Sequence, residues 1–131
     1  MVTRDDIEGF LRIAEMGFEE VGEGIWLVHP DPSETEEEGL AVVISHVPPV
    51  LVLRSEIRAV PGDPEARLHL YERLLELNAT DLVHGAYGLE NGEVVLSDTL
   101  ELENLDFSEF RASLESLFLA LTSNRQELAT D

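Results

Sequence analysis

Residues 74–102 read LLELNATDLVHGAYGLENGEVVLSDTLEL, and they specify a helix end, a tight turn and a strand register together. The turn is Asn91-Gly92, a dipeptide that tolerates the positive φ angles of a two-residue type I′ hairpin. Counting outward from it pairs Leu89 with Val94, Tyr87 with Leu96, Gly85 with Asp98 and Val83 with Leu100, which makes one face largely apolar. The other face holds Gly88 with Val95, Ala86 with Ser97, His84 with Thr99 and Leu82 with Glu101, a half-wet surface. A slip of one residue would exchange the two faces, so the pattern selects this alignment. A sheet with one half-wet face is antiparallel rather than doubly wound.

Working back from the hairpin, Pro61-Gly62-Asp63-Pro64 starts a helix, with Asp63 as cap and Pro64 in the first turn. Leu68, Leu70, Tyr71, Leu74, Leu75 and Leu77 fill nearly half of its circumference, an arc wider than one sheet contact needs. Asn78 is read as its C-terminal break. Further back, Leu40 to His46 and Val50 to Val60 are β-branched strands around Pro48-Pro49, and Ile25 to Val28 is a short strand. In Val50 to Val60, Leu51, Leu53, Ser55, Ile57 and Ala59 share one face, while Arg54, Glu56 and Arg58 take the other. Thr3 caps a first helix over about residues 4–16, with Asp6 completing a capping box. Gly17, Gly22 and Gly24 punctuate the link to the first strand.

Forward of the hairpin, Asp106 or Ser108 caps a last helix striped by Phe107, Phe110, Leu114, Leu117, Phe118 and Leu121. The expected fold is thus α+β, an antiparallel sheet of about five strands with three helices in the order α-β-β-β-α-β-β-α. Residues 1–125 form one domain, and 126–131 are an acidic tail that frays. Residues 31–39 are a solvated acidic loop.

The 28 acids stand against only 8 bases, all arginine, for a formal net charge of −20. Such a field repels nucleic acid and anionic membranes, suits solubility, and attracts a basic partner. No apolar run reaches the roughly 18 residues that span a bilayer, and the acidic start MVTRDDIEGFL does not read as a signal peptide. A cytoplasmic location is expected.

Cysteine and lysine are absent, which excludes thiolate chemistry, disulfides, Schiff bases and a P-loop. His29, His46, His69 and His84 stand too far apart for a metal motif, and the acidic loop lacks calcium-loop spacing. No serine sits in a nucleophile elbow. No catalytic, metal or cofactor residue is therefore assigned. Asp98 is the one anomaly. On the apolar face it needs hydrogen bonds or an arginine; alternatively, a bulge at Gly85 turns it outward.

The series Leu74-Leu-Glu-Leu-Asn78, His84-Gly-Ala-Tyr-Gly-Leu89, Gly92-Glu-Val-Val-Leu96 and Leu100-Glu-Leu-Glu-Asn-Leu-Asp106 resembles the class I type III secretion chaperones of the Tir-chaperone family. It is similar also to the YbjN-like proteins that share their fold. The likeness implies a non-catalytic homodimer that binds an extended effector-like segment or a regulator through apolar patches. The wide arc of the second helix suits such an interface, which we place on Leu70, Tyr71, Leu74, Leu77, His84 and Ala86, with the three leucines on the outer side. The competing class is a small-molecule binder or enzyme with a helix-sheet pocket that uses His84, Asp98 or Tyr87.

Overall fold

The computed structural model describes residues 1–31 and 40–128. Beyond Asp31, the loop expected over 31–39 lies outside the described residues, as do residues 129–131. Three helices and six strands follow in chain order: α1 (Arg4–Ile13), β1 (Gly17–Gly22), β2 (Ile25–His29), β3 (Val42–Val47), β4 (Val50–Ala59), α2 (Pro64–Thr80), β5 (Ala86–Glu90), β6 (Glu93–Glu101) and α3 (Phe107–Leu128). The strands form one antiparallel sheet in the order β1-β2-β3-β4-β6-β5. The expected α+β fold holds, with one strand more than anticipated.

The added strand is β1. Its sequence GFEEVG offers no clean alternation and two glycines, because it is an edge strand with most of its side chains in water. Pairing with β2 makes it a strand, with Phe18 opposite Val28 and Glu20 opposite Trp26.

All three helices cover one face of the sheet. That face carries Trp26 and Val28, Val42 and Ile44, Leu51 and Leu53, then Val94 and Leu96, all fully buried, with Tyr87 beside them. The α1 helix reaches it through Trp26, whose indole N–H donates to Glu8 at 2.8 Å, and Phe10 stacks on Phe107 and Phe110 of α3. A buried indole N–H left unpaired would be costly, so this bond fixes α1 over β2.

The helix caps behave as read. Thr3 accepts from the Asp6 amide at 3.2 Å and Asp6 accepts from the Thr3 amide at 2.9 Å, a complete capping box. Thr3→Ala should cost about 1 kcal/mol in urea unfolding, the usual worth of such a cap. The Thr3 amide, and then its hydroxyl, hold the Asp6 carboxyl below its usual 3.8. Because the folded value is the lower one, this contribution is complete above that pH and fades as acid takes the pH through the lowered value. The α1 helix stops at Ile13, short of the expected 16, because Glu15 takes a left-handed φ of 59°.

The other helix ends differ from expectation. Asn78 lies inside α2, which continues to Thr80 and is capped by Asp81. The α3 helix, with Asp106 accepting from the Glu109 amide at 2.8 Å, runs to Leu128 instead of fraying after 125. Three distant contacts hold its end: the Leu128 side chain is buried, Arg58 Nη1 donates to the Leu128 carbonyl at 3.2 Å, and Arg73 on α2 binds Glu127. Arg58 reaches that carbonyl because the register of β4 against β6 shifts between Glu56 and Arg58. This bulge removes Arg58 from the face of Arg54 and Glu56, where strict alternation had put it.

Candidate functional site

The hairpin forms with the expected register from Ala86 to Glu90, and Asn91 and Gly92 take φ of 51° and 79°, as a type I′ turn requires. The pairing then stops. Residues 82–85 leave the sheet, so the expected pairs of Gly85 with Asp98, His84 with Thr99, Val83 with Leu100 and Leu82 with Glu101 are absent. Gly85 turns the chain at φ 81°, and the His84 amide instead donates to the Ser116 hydroxyl of α3 at 3.1 Å. The strand opposite Asp98 on its other side is β4, through Leu53.

Asp98 stays on the helix-covered face and is satisfied there. Its carboxylate accepts from the fully buried Ser113 hydroxyl at 2.6 Å and from the Thr99 amide at 3.0 Å. Of the two readings left open, hydrogen bonding is the one that holds, and Ser113 is the partner. Ser113→Ala should cost about 1–3 kcal/mol in chemical denaturation, since it strands a half-buried carboxylate without its side-chain donor.

The three leucines placed on the outer side of α2 turn inward. Leu70, Leu74 and Leu77 are buried in the core, because α2 lies against β5. The apolar surplus is real but sits opposite them: Leu68 and Leu75 are 60% and 69% exposed, Tyr71 is half-buried beside them, and Val83 just beyond the helix is 83% exposed. His84 and Ala86 are exposed, as an interface position needs. Helical periodicity marks the whole arc; which half of it meets the sheet depends on where β5 lies.

The second apolar surface is the sheet face over which no helix among the described residues lies. Ile25, Val43 and Val47 are exposed there, Leu27, Val50 and Val52 half-buried, and Arg54 crosses the strands to pair with Glu56 at 3.3 Å and Glu90 at 2.9 Å. This ion pairing leaves the buried Nε of Arg54 unmatched. The apolar side chains cluster at Ile25, Leu27, Val43, Val47, Val50 and Val52, and the same face carries Ser45, Ser97, Thr99, Glu56 and Glu101 around Arg54.

The residues of the competing pocket reading are not gathered. A cavity of about 350 Å³ between α3 and β4 is lined by Tyr87, Leu40, Ile57, Leu121 and Arg125, but by neither His84 nor Asp98. Tyr87 accepts from the buried Asn124 amide at 2.9 Å, and burial pushes its phenol above the ordinary value, so it is an anchored neutral wall. Among the described residues no three histidine, aspartate or glutamate side chains are placed to hold a metal ion. No helix among them is long and apolar enough to cross a membrane.

The described residues thus form a six-stranded antiparallel sheet with three helices on one face. Residues 2–130 match the family model CesT_Tir_1, and the chain belongs to that family of type III secretion chaperones, which are not enzymes. YbjN from E. coli shares the fold with a TM-score of 0.62 at 13% identity, over 97% of this chain and 96% of that one. A chain of the HopA1–SchA chaperone–effector complex gives 0.59 at 15% identity, with 90% and 88% covered. A chain of the heterodimeric ExoU–SpcU complex from the type III secretion system of Pseudomonas aeruginosa gives 0.55 at 18%, with 72% and 75% covered. Comparison with curated protein sequences gives no match.

Proposed function

We propose that the chain is a cytoplasmic, homodimeric chaperone-like protein that binds an extended polypeptide segment through apolar patches, without catalysis. The observation that carries this reading is the apolar surface exposed among the described residues: Leu68 and Leu75 along α2 with Val83 just beyond it, and the sheet face around Leu27, Val43 and Val52. A chain of charge −20 keeps such surfaces soluble while favouring a partner segment that carries cations between its apolar side chains. Two separate surfaces suit two tasks, subunit pairing on the helix stripe with Tyr71, His84 and Ala86 near it, and peptide docking on the sheet.

The family and the chaperone–effector neighbour support a protein partner of this kind. Purification of the tagged full chain from its native cytoplasm tests it. One co-purifying protein in stoichiometric amount, released when Val43→Glu and Val52→Glu charge the sheet face, is the expected result. A co-purified metabolite in place of a protein, or a protein whose binding ignores both substitutions, would overturn the reading.

A further inference from the structure

Both ends of the sheet, β1 and β5, are edge strands, and an edge offers outward N–H and C=O groups to any other chain. On β5 those groups can be named. In an antiparallel pair, residues alternate between exchanging hydrogen bonds with the partner strand and pointing their backbone groups away from it. The two-residue turn makes Glu90 and Glu93 a bonded pair, so Gly88 and Ala86 also bond to β6, whereas Leu89 and Tyr87 point outward.

The outward groups of Tyr87 are already taken. The Tyr87 amide donates to Asn78 Oδ1 at 2.7 Å, and Asn78 Nδ2 donates to the Tyr87 carbonyl at 3.1 Å. A carboxamide presents one acceptor and one donor side by side, as a peptide group of a neighbouring strand does. Asn78 projects from inside α2, so the imitation strand is held by a helix that is itself packed on β5.

We propose that Asn78 is an edge guard: its carboxamide fills the place of a seventh strand at Tyr87 and keeps β5 from pairing with the β5 edge of a second copy of this chain. A second copy is the partner this edge fits by symmetry. Antiparallel pairing centred on Gly88 would join Tyr87 of each copy to Leu89 of the other, and every one of its hydrogen bonds uses a Tyr87 backbone group. Gly88 at the centre places no side chain in the way, and a Cβ built there meets nothing within 4 Å. The guard therefore blocks the whole pairing by occupying one residue. Side-chain contact along the neighbouring α2 stripe stays open, so subunits meet there without merging their sheets.

The role explains why a polar side chain stands one residue after buried Leu77, inside the helix instead of at its end. Capturing both groups of one edge residue is what denies them to another strand.

The experiment uses the full chain and reads its mass by sedimentation over a range of concentrations, with wild type as reference whether that is monomer or dimer. Asn78→Ala that keeps its far-UV circular dichroism should at least double its mass, and Asn78→Ala with Leu89→Pro, which removes one of the two outward N–H groups and so half of the donors of the pairing, should return to the wild-type mass. A folded Asn78→Ala of wild-type mass, or association that survives Leu89→Pro, overturns the proposal. Should Asn78→Ala not fold, hydrogen exchange on the wild type decides: the Tyr87 amide should exchange at least about 100-fold more slowly than the Leu89 amide. Equal rates would show an open edge and overturn it. Because each readout is a change relative to wild type, failure of the homodimer reading leaves this test intact.

Discussion

Gly85→Ala should lower stability by about 2–6 kcal/mol and the melting temperature by about 10–20 °C, a large share of what a domain of this size has to lose. Two costs add. Gly85 sits at φ 81°, where an L side chain costs about 1–3 kcal/mol. The new Cβ would also lie 2.8 Å from Leu117 Cδ2 and 2.9 Å from the Ser97 carbonyl oxygen. The first neighbour is a core side chain and the second is backbone of β6, so neither moves away without disturbing packing, which costs about a further 1–3 kcal/mol. Gly92→Ala is the control, since it shares the left-handed geometry at φ 79° but meets nothing within 4 Å. Thermal unfolding of both should show Gly85→Ala losing at least twice as much. Equal losses would mean that backbone geometry alone sets the cost and that the chain does not pass so close to α3 at this point.

The same glycine shows where the sequence is legible and where it is not. The turn at Asn91-Gly92 and the register to Ala86 follow from local rules, because positive φ and the two-residue period are properties of the chain itself. The departure at Gly85 depends on Ser116 and Leu117, more than thirty residues away, and nothing local announces them. Asp98 illustrates a middle case. Its place on the apolar face was readable and so was its need for a donor, but the donor is Ser113, one of eight serines in the chain. The end of α3 is hidden for the opposite reason: the residues from 126 onward look polar and free, yet Arg58 and Arg73 reach Leu128 and Glu127 from β4 and α2. Edge strand β1 left almost no trace, since an exposed strand need not alternate. At the candidate site, the amount of surplus apolar surface on α2 was legible and its direction was not.

That direction sets up the sharpest comparison in the molecule, Leu74→Asp against Leu75→Asp. The two substitutions alter composition and charge identically at adjacent positions, so any difference between them comes from the side of the helix alone. Leu74 is 5% exposed and packed in the core. Its replacement loses about 2–5 kcal/mol of burial and cavity energy and sets a carboxylate in an apolar site, which costs several kcal/mol more. Their sum rivals the whole stability of a domain, so Leu74→Asp should be unfolded at neutral pH by circular dichroism. Leu75 is 69% exposed, and its replacement should leave the unfolding transition within about 0.5 kcal/mol when measured on the monomer. In the proposed dimer, however, a two-fold axis beside the stripe would bring two such carboxylates together in place of two leucines, losing apolar burial and adding like-charge repulsion on a chain already at −20. On the proposed function the wild type sediments as a dimer, and Leu75→Asp should sediment as a folded monomer at the same concentrations. A folded Leu74→Asp would mean that α2 is rotated relative to the sheet, and a dimeric Leu75→Asp would place the subunit interface on another surface, with the sheet face around Val43 as the remaining apolar candidate.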